Sequence, residues 1–308
     1  MTPKLLPELS NLATEQRNNK SMEMDQMSTS EILKMINDED QQVALAVKKV
    51  LPEIGAVVDL IHEAFLKGGR LFYVGAGSSG RLAVLDASEC TPTFMTSQDM
   101  VQAIMAGGEQ AFLEAAENAE DDDNQAGLEL EQRNLGKHDV VVGITASGRT
   151  PYPIGALKYA NKVGCASVSL TCNSNSVISQ YADFKIEVLA GQEVLTGSTR
   201  MKAGTAHKMV LNMISTATMV KMGKVYENLM VDVHASNEKL RERAKQIVME
   251  ITGVNYEEAE KALEISDQKV KPAIVMLLAN VSSEQADTAI KKSGGHARSA
   301  IEYAKKRR

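Results

Sequence analysis

The chain has 308 residues, 44% of them hydrophobic, with 34 Lys and Arg against 40 Asp and Glu for a formal charge of -6 at pH 7. That length and apolar content suit one or two globular domains with a sizeable core. The acidic balance, with a basic block only in the closing KKRR, argues against nucleic acid or an anionic membrane as the main partner.

No apolar run approaches the roughly 20 residues of a membrane span, and the opening MTPKLLPELSNLATEQRNNK has no apolar secretory segment, so a cytoplasmic address is expected. Cys90, Cys165 and Cys172 lie far from any C-x-x-C spacing, as reduced thiols would. His62, His138, His207, His234 and His296 are scattered without carboxylate-spaced partners, so no metal ligand set is expected. Sixteen Met and no Trp describe a core that fills its gaps with flexible thioethers.

Residues 1–40 begin polar and patternless and turn helical at STSEILKMINDED, where Ser28 or Ser30 caps an apolar stripe of Ile32, Leu33, Met35 and Ile36. From Gln41, QQVALAVKKVLPEIGAVVDLIHEAFLKGG reads as one long helix, kinked at Pro52 and stopped by Gly68 and Gly69. Five short apolar runs follow, RLFYVG, VQAIMAG, DVVVGITA, CASVSLTC and FKIEVLA, alternating with helical patterns. Continuous rather than alternating apolar strands predict a sheet covered on both faces, and the intervening helices predict parallel pairing. The expected fold is α/β, a doubly wound parallel sheet over about 61–224, preceded by a helical arm at 1–60 and followed by a small helical domain at 225–308 that carries no sheet signal. Ligands of such sheets bind at the carboxyl ends of the strands, so the loops after the apolar runs are where function is sought.

The first of those loops, GAGSSGR, fits the dinucleotide fingerprint with Gly75, Gly77 and Gly80, yet the acidic residue that fingerprint requires at the end of the second strand is missing, since Asp99 stands before it. Two further hydroxyl-rich turns exist instead, TASGRTPYP from Thr145 and LTGSTRMK from Leu195. Each alone reads better as a turn that shapes a loop or caps a helix than as a binding site. Three in one sheet supply backbone N–H groups, hydroxyls and helix N-termini suited to one phosphate and several sugar hydroxyls.

At this point the chain resembles a known family. The runs GAGSSGR, LDASECTPTF, ASGRTPY, TGSTRMKAGTAHKMVLNM and ENLMVDV, with TEQRN near the N-terminus, are similar to the N-acetylmuramic acid 6-phosphate etherases, a bacterial family of the sugar isomerase (SIS) superfamily. The likeness covers nearly the whole chain, and the DASEC segment separates the family from ordinary SIS isomerases. It differs mildly at Ser78, Thr145 and His207, where the family commonly has Thr, Ala and Gln.

The resemblance implies an SIS-type, flavodoxin-like αβα sandwich that cleaves the D-lactyl ether at C3 of N-acetylmuramic acid 6-phosphate. The products are N-acetylglucosamine 6-phosphate and D-lactate, and no cofactor or metal is required. The reaction is elimination of lactate across C2 and C3 of the open-chain sugar followed by hydration, which needs two carboxyls in different protonation states. By resemblance Glu89 is the proton donor and Glu120 the base at C2. Read from the residues alone, Glu89 falls near the carboxyl end of a helix with Asp86 at i,i+3, both of which favour its protonated form. Glu120 heads the acidic run EDDDN, which reads as a solvated turn with Asp122 or Asp123 capping the next helix. Ser78, Ser79, Ser147, Gly148 and Thr150 are the expected phosphate and sugar contacts, with Arg149 and Lys202 supplying charge.

Two rivals share the fold. A phosphosugar isomerase would also use a carboxylate at C2, and a non-catalytic sensor would resemble the vertebrate glucokinase regulatory protein, a longer protein with a second SIS domain. A homodimer is expected, because sites in this superfamily are commonly completed across one and the N-terminal arm needs a surface.

Overall fold

The apolar runs become the strands β1 (Leu71–Gly75), β2 (Val101–Met105), β3 (Val140–Ile144), β4 (Ala166–Thr171) and β5 (Phe184–Glu187). They form one parallel sheet in the order β2-β1-β3-β4-β5, with β1 and β3 buried along their whole length. Gly75 pairs in register with both Met105 and Ile144, and Ile144 with Leu170, so the carboxyl ends of four strands finish level. The chain leaves β1 towards β2 on one side and returns to β3 on the other, which makes the β1/β3 edge the topological switch point of a flavodoxin-like sheet.

The computed structural model describes residues 12–114, 118–233 and 238–307 and divides into two compact units. The first comprises 12–88 and 98–215, and the second 89–97, 216–233 and 238–307. In the first unit, α1 (Thr29–Lys49) opens with a capping box between Ser28 and Glu31 and continues past Gln41 without a break. Pro52 does not kink a long helix as the pattern suggested. Helix α1 ends at Lys49, and α2 (Leu51–Leu66) starts anew with Pro52 in its first turn, where a missing N–H costs nothing. After β1 come α3 (Gly77–Phe94), which runs across the division between the units, then β2 and the short α4 (Gln110–Leu113). Helices α5 (Gln125–Gln132) and α6 (Pro151–Val163) flank β3, and Phe72, Val74, Val141, Tyr152 and Leu157 lie in one core cluster.

The second unit carries the later part of α7 (Lys202–Lys221) and a two-residue-per-strand hairpin, β6 (Val225–Tyr226) with β7 (Leu229–Met230), where the sequence pattern showed no sheet. Glu227 in its turn holds a positive φ of 54°, a conformation ordinarily left to Gly or Asn, which hides the hairpin from pattern reading. Helices α8 (Glu238–Thr252), α9 (Tyr256–Ile265), α10 (Val270–Ala279), α11 (Ser283–Lys292) and α12 (Ala297–Lys305) complete this unit. The last four form an internal repeat 27 residues apart, α9-α10 matched by α11-α12 (Tyr256 to Ser283, Val270 to Ala297). Both copies open on a capping box, Asn255 with Glu258 and Ser282 with Gln285. Both turn through two consecutive left-handed residues, Asp267 and Gln268 in one and Gly294 and Gly295 in the other. Both bury the same positions, Ala259 and Ala286, Ala262 and Ala289, Ala273 and Ala300, Ile274 and Ile301. Lys271 and Arg298, equivalent in the two copies, each reach an acid of the hairpin segment, Asp232 at 2.9 Å and Glu227 at 3.4 Å.

Candidate active site

The glycines of the first turn serve packing. A Cβ on Gly75 would lie 2.9 Å from the Gly80 nitrogen, and one on Gly80 would lie 2.7 Å from Met105 Cγ and 2.8 Å from the Gly75 oxygen. Only glycine lets α3 come this close to β1, while Gly77 turns the chain with a φ of 53°. Ser78 and Ser79 therefore sit in the first turn of α3, where backbone N–H groups lack intrahelical partners and the helix dipole favours an anion. Ser78 is half-buried and Ser79 buried.

The second turn lies just after β3, the neighbouring strand. Thr145 Oγ1 lies 2.8 Å from Thr150 Oγ1 and 3.3 Å from Ser147 Oγ, and the Arg149 N–H donates to Ser147 Oγ at 3.2 Å. Gly148 has a φ of 73°, and a Cβ there would meet Ser176 at 2.3 Å, so the turn can close only over glycine. Thr150 leads into α6, with Pro151 in its first turn.

Residues to which sequence reasoning assigned no part in binding tie these turns together. At the end of β4 the Cys172 N–H donates to the Ala146 carbonyl at 3.1 Å, and Asn173 Nδ2 donates to the same carbonyl at 3.0 Å. Asn173 also donates to Thr14 Oγ1 at 3.1 Å and accepts from the Ala13 N–H at 2.8 Å. The TEQRN segment thus lies along the carboxyl edge of the sheet, and its Glu15 approaches the third turn at Gly197. His207 on α7 is buried, with Nδ1 3.3 Å from Ser79 Oγ and Nε2 3.6 Å from Cys172 Sγ. Burial pushes its pKa down to about 4, so the imidazole is neutral at pH 7.

Lys202 is buried and engaged from within rather than open to a ligand. Its Nζ lies 2.8 Å from Glu39 Oε2 and 3.1 Å from the Gln192 carbonyl, with 3% of its side chain exposed. The start of α7 is occupied too, because the Glu193 carboxylate accepts from the Lys202 and Ala203 N–H groups at 2.9 Å each. Glu39 gathers three donors, adding Lys20 at 2.7 Å and Asn18 at 3.0 Å, so α1, the arm and the third turn are tied at one carboxylate. Burial alone would raise the Glu39 pKa, but the bonds from Lys20, Lys202 and Asn18 outweigh it and bring it down to about 2. Pattern reading had no means to see this hub, since its partners lie up to 163 residues apart in the chain.

The remaining carboxyls differ sharply in burial. Glu89 is exposed on α3, one turn beyond Asp86. Asp86 is the buried carboxyl of this helix; Asn212 Nδ2 donates to it at 2.7 Å and Ser215 Oγ at 3.0 Å, and burial outweighs these bonds to raise its pKa. Glu120 is exposed in a single 3-10 turn, Ala119–Asp121, and Asp122 Oδ1 caps the start of α5, accepting from the Asn124 and Gln125 N–H groups. The stretches before and within this acidic run are each held by a neighbouring helix. Arg81 of α3 donates to the carbonyls of Ala111, Phe112 and Glu114 at 2.8 to 3.2 Å. Gly155 of α6 runs so close that a Cβ there would fall 1.6 Å from the Asp123 carbonyl oxygen. Among the described residues no group of three or more His, Cys, Asp or Glu is arranged to hold a metal ion, and no helix is long and apolar enough to cross a membrane.

Residues 53–161 match the family described as the glucokinase regulatory protein N-terminal SIS domain, and residues 112–217 match the SIS domain. The N-acetylmuramic acid 6-phosphate etherase of Bacillus subtilis is 54% identical over 96% of this chain and 97% of its own length. An etherase of the same name, numbered 2, from Vibrio parahaemolyticus is 53% identical over 96% of this chain and 98% of its own. Among solved structures, a phosphoheptose isomerase from Neisseria gonorrhoeae is similar with a TM-score of 0.49 at 18% identity, covering 62% of this chain and 98% of that one. Sheet order, hydroxyl turns at the switch point and more than half-identical relatives over almost the full length agree, and the chain belongs to the N-acetylmuramic acid 6-phosphate etherase family.

Proposed function

We propose that this protein cleaves the D-lactyl ether of N-acetylmuramic acid 6-phosphate with water, releasing D-lactate and N-acetylglucosamine 6-phosphate. The observation that carries the reading is the pair of hydroxyl turns after β1 and β3, side by side at the switch point, in a chain more than half identical to curated etherases. The first-turn amides of α3, with Ser78 and Ser79, supply donors for a phosphate, and Ser147, Gly148 and Thr150 supply the second wall. Arg149 brings its charge to that wall, while Lys202 acts from behind the site by fixing the third turn through Glu39.

Glu120 takes the proton from C2 of the open-chain aldehyde, and Glu89 gives one to the departing lactate oxygen. Water then adds at C3 of the unsaturated aldehyde and a proton returns to C2, so that one water is consumed for each ether cleaved. The hydroxyl turns bind substrate and intermediate alike; the carboxyls act only as charge develops, so their loss falls on kcat. The enzyme works as a cytoplasmic homodimer without metal or nucleotide.

A sensor without catalysis on the same fold is the rival, and the etherase relatives, 51–55% identical along the chain, weigh against it. Incubation with N-acetylmuramic acid 6-phosphate and enzymatic detection of D-lactate tests the reading. Stoichiometric lactate and N-acetylglucosamine 6-phosphate are expected, and tight binding of the phosphosugar without lactate would favour the sensor. A monomer in light scattering at micromolar concentration that keeps full activity would refute the dimer.

A further inference from the structure

Ser79 faces a problem of hydrogen-bond direction. Its hydroxyl has one proton to donate, and a phosphate needs donors. If His207 Nδ1 were the acceptor, that proton would be spent inside the protein and Ser79 would turn only lone pairs to the ligand. If Nδ1 carries the imidazole proton and donates to Ser79 Oγ, the hydroxyl proton is released to point outward. A neutral imidazole has one N–H, so the choice depends on what the other nitrogen does.

Cys172 makes that choice. Its Sγ lies 3.6 Å from Nε2, nearer than its other acceptor within reach, the Ala203 carbonyl at 4.0 Å. Burial, reinforced by the negative charge of Glu193, pushes the thiol pKa well up, so the group is S–H and a donor. Nε2 then accepts and Nδ1–H remains for Ser79. We propose that His207 is a positioning residue and that Cys172 and His207 form a one-way chain of donors, S–H to Nε2, Nδ1–H to Ser79 Oγ, and Ser79 O–H to a phosphate oxygen of the bound sugar. No proton is transferred along it; the chain sets a direction. The ligand end of the chain rests on the phosphosugar reading above, while the direction of the inner two bonds does not.

The tautomer is measured directly by long-range ¹H–¹⁵N NMR of the imidazoles, with His207 assigned from its loss in His207→Gln. An Nδ1–H tautomer at pH 7 is expected in the ligand-free protein, and an Nε2–H tautomer overturns the inference whatever the protein's substrate. Calorimetry with N-acetylglucosamine 6-phosphate supplies the second readout without turnover. Cys172→Ala, which leaves every ligand-facing group in place, is expected to weaken binding on the order of tenfold, the loss of one well-directed bond to a charged group. Cys172→Ser, whose O–H can make the same donation, restores it to within about twofold of the parent. Equal weakening by Ala and Ser would mean that Cys172 only fills space, and no weakening by Ala would mean that the chain has no bearing on the ligand; either result sinks the proposal. If the unmutated protein makes no lactate from N-acetylmuramic acid 6-phosphate, the etherase reading fails by itself and the tautomer still decides this inference.

Discussion

Glu39→Gln removes the carboxylate at the hub of the arm, α1 and the third turn while keeping its size. In the folded protein the Glu39 pKa is brought from 4.5 to about 2. At 1.36 kcal/mol per unit, that difference is worth roughly 3 kcal/mol of stability at neutral pH. The figure agrees with the roughly 3 to 5 kcal/mol expected when one partner is taken from a buried ion pair, here Lys202 at 2.8 Å with 3% of its side chain exposed. Because the folded pKa is depressed, the contribution is complete above about pH 4.5 and disappears as pH falls through about 2. The chain has no Trp, so urea unfolding is followed by far-UV circular dichroism at pH 7 and at steps down to pH 3. The variant is expected to be less stable by roughly 3 kcal/mol at pH 7, with the gap narrowing below pH 4.5. A gap of the same size at every pH, or none at pH 7, would refute the charge argument and leave Glu39 as a packing residue.

Other perturbations test the rest of the site. Gly155→Ala places a methyl where the Asp123 carbonyl stands, so α6 and the acidic segment must part. A loss of about 1 to 3 kcal/mol is expected, with a lower kcat for lactate release and binding of N-acetylglucosamine 6-phosphate retained; unchanged kcat would separate Glu120 from the chemistry. Arg81→Lys cannot span the three carbonyls of Ala111, Phe112 and Glu114, and a loss of about 1 to 3 kcal/mol is expected in the same urea titration. At Asp86 the folded pKa is raised, so this group favours the fold below that pKa and loses its contribution as pH rises through it. Asp86→Asn, a permanent stand-in for the protonated form, should cost less than about 1 kcal/mol at pH 7, and Asp86→Ala, which orphans the Asn212 and Ser215 donors, about 1 to 3 kcal/mol more in the same urea titration. Equal losses would contradict this assignment.

The sheet was legible because parallel strands buried on both faces spell themselves as apolar runs, and LFYVG and VVVGI are buried at every position. The hydroxyl turns were legible because they come directly after those runs. Their order in space was not, since Ser78 and Ser147 are neighbours only through the β1/β3 pairing. Helix boundaries were less legible. Pro52 fits a kink and a helix start equally well until the neighbouring turn is seen. The repeat was missed because its two copies conserve small buried residues and turn geometry rather than sequence, with Asp-Gln in one loop and Gly-Gly in the other. Lys202 looked like a free cation beside a turn. Its partner Glu39 lies 163 residues away on a different helix, and no local pattern encodes that distance. The roles of Glu89 and Glu120 came from family resemblance, since locally each is an exposed carboxylate of an ordinary kind.

The most direct test of the central claim is turnover of N-acetylmuramic acid 6-phosphate in ¹⁸O-water, beside Glu89→Gln and Glu120→Gln. The heavy atom is located by its ¹³C isotope shift, because the open-chain aldehyde also exchanges its C1 oxygen with water. Unlabelled D-lactate together with ¹⁸O at C3 of N-acetylglucosamine 6-phosphate, lost in both variants while phosphosugar binding survives, is the predicted result. Label in the lactate hydroxyl with none at C3, or full activity in either variant, would contradict elimination across C2 and C3 by this pair of carboxyls.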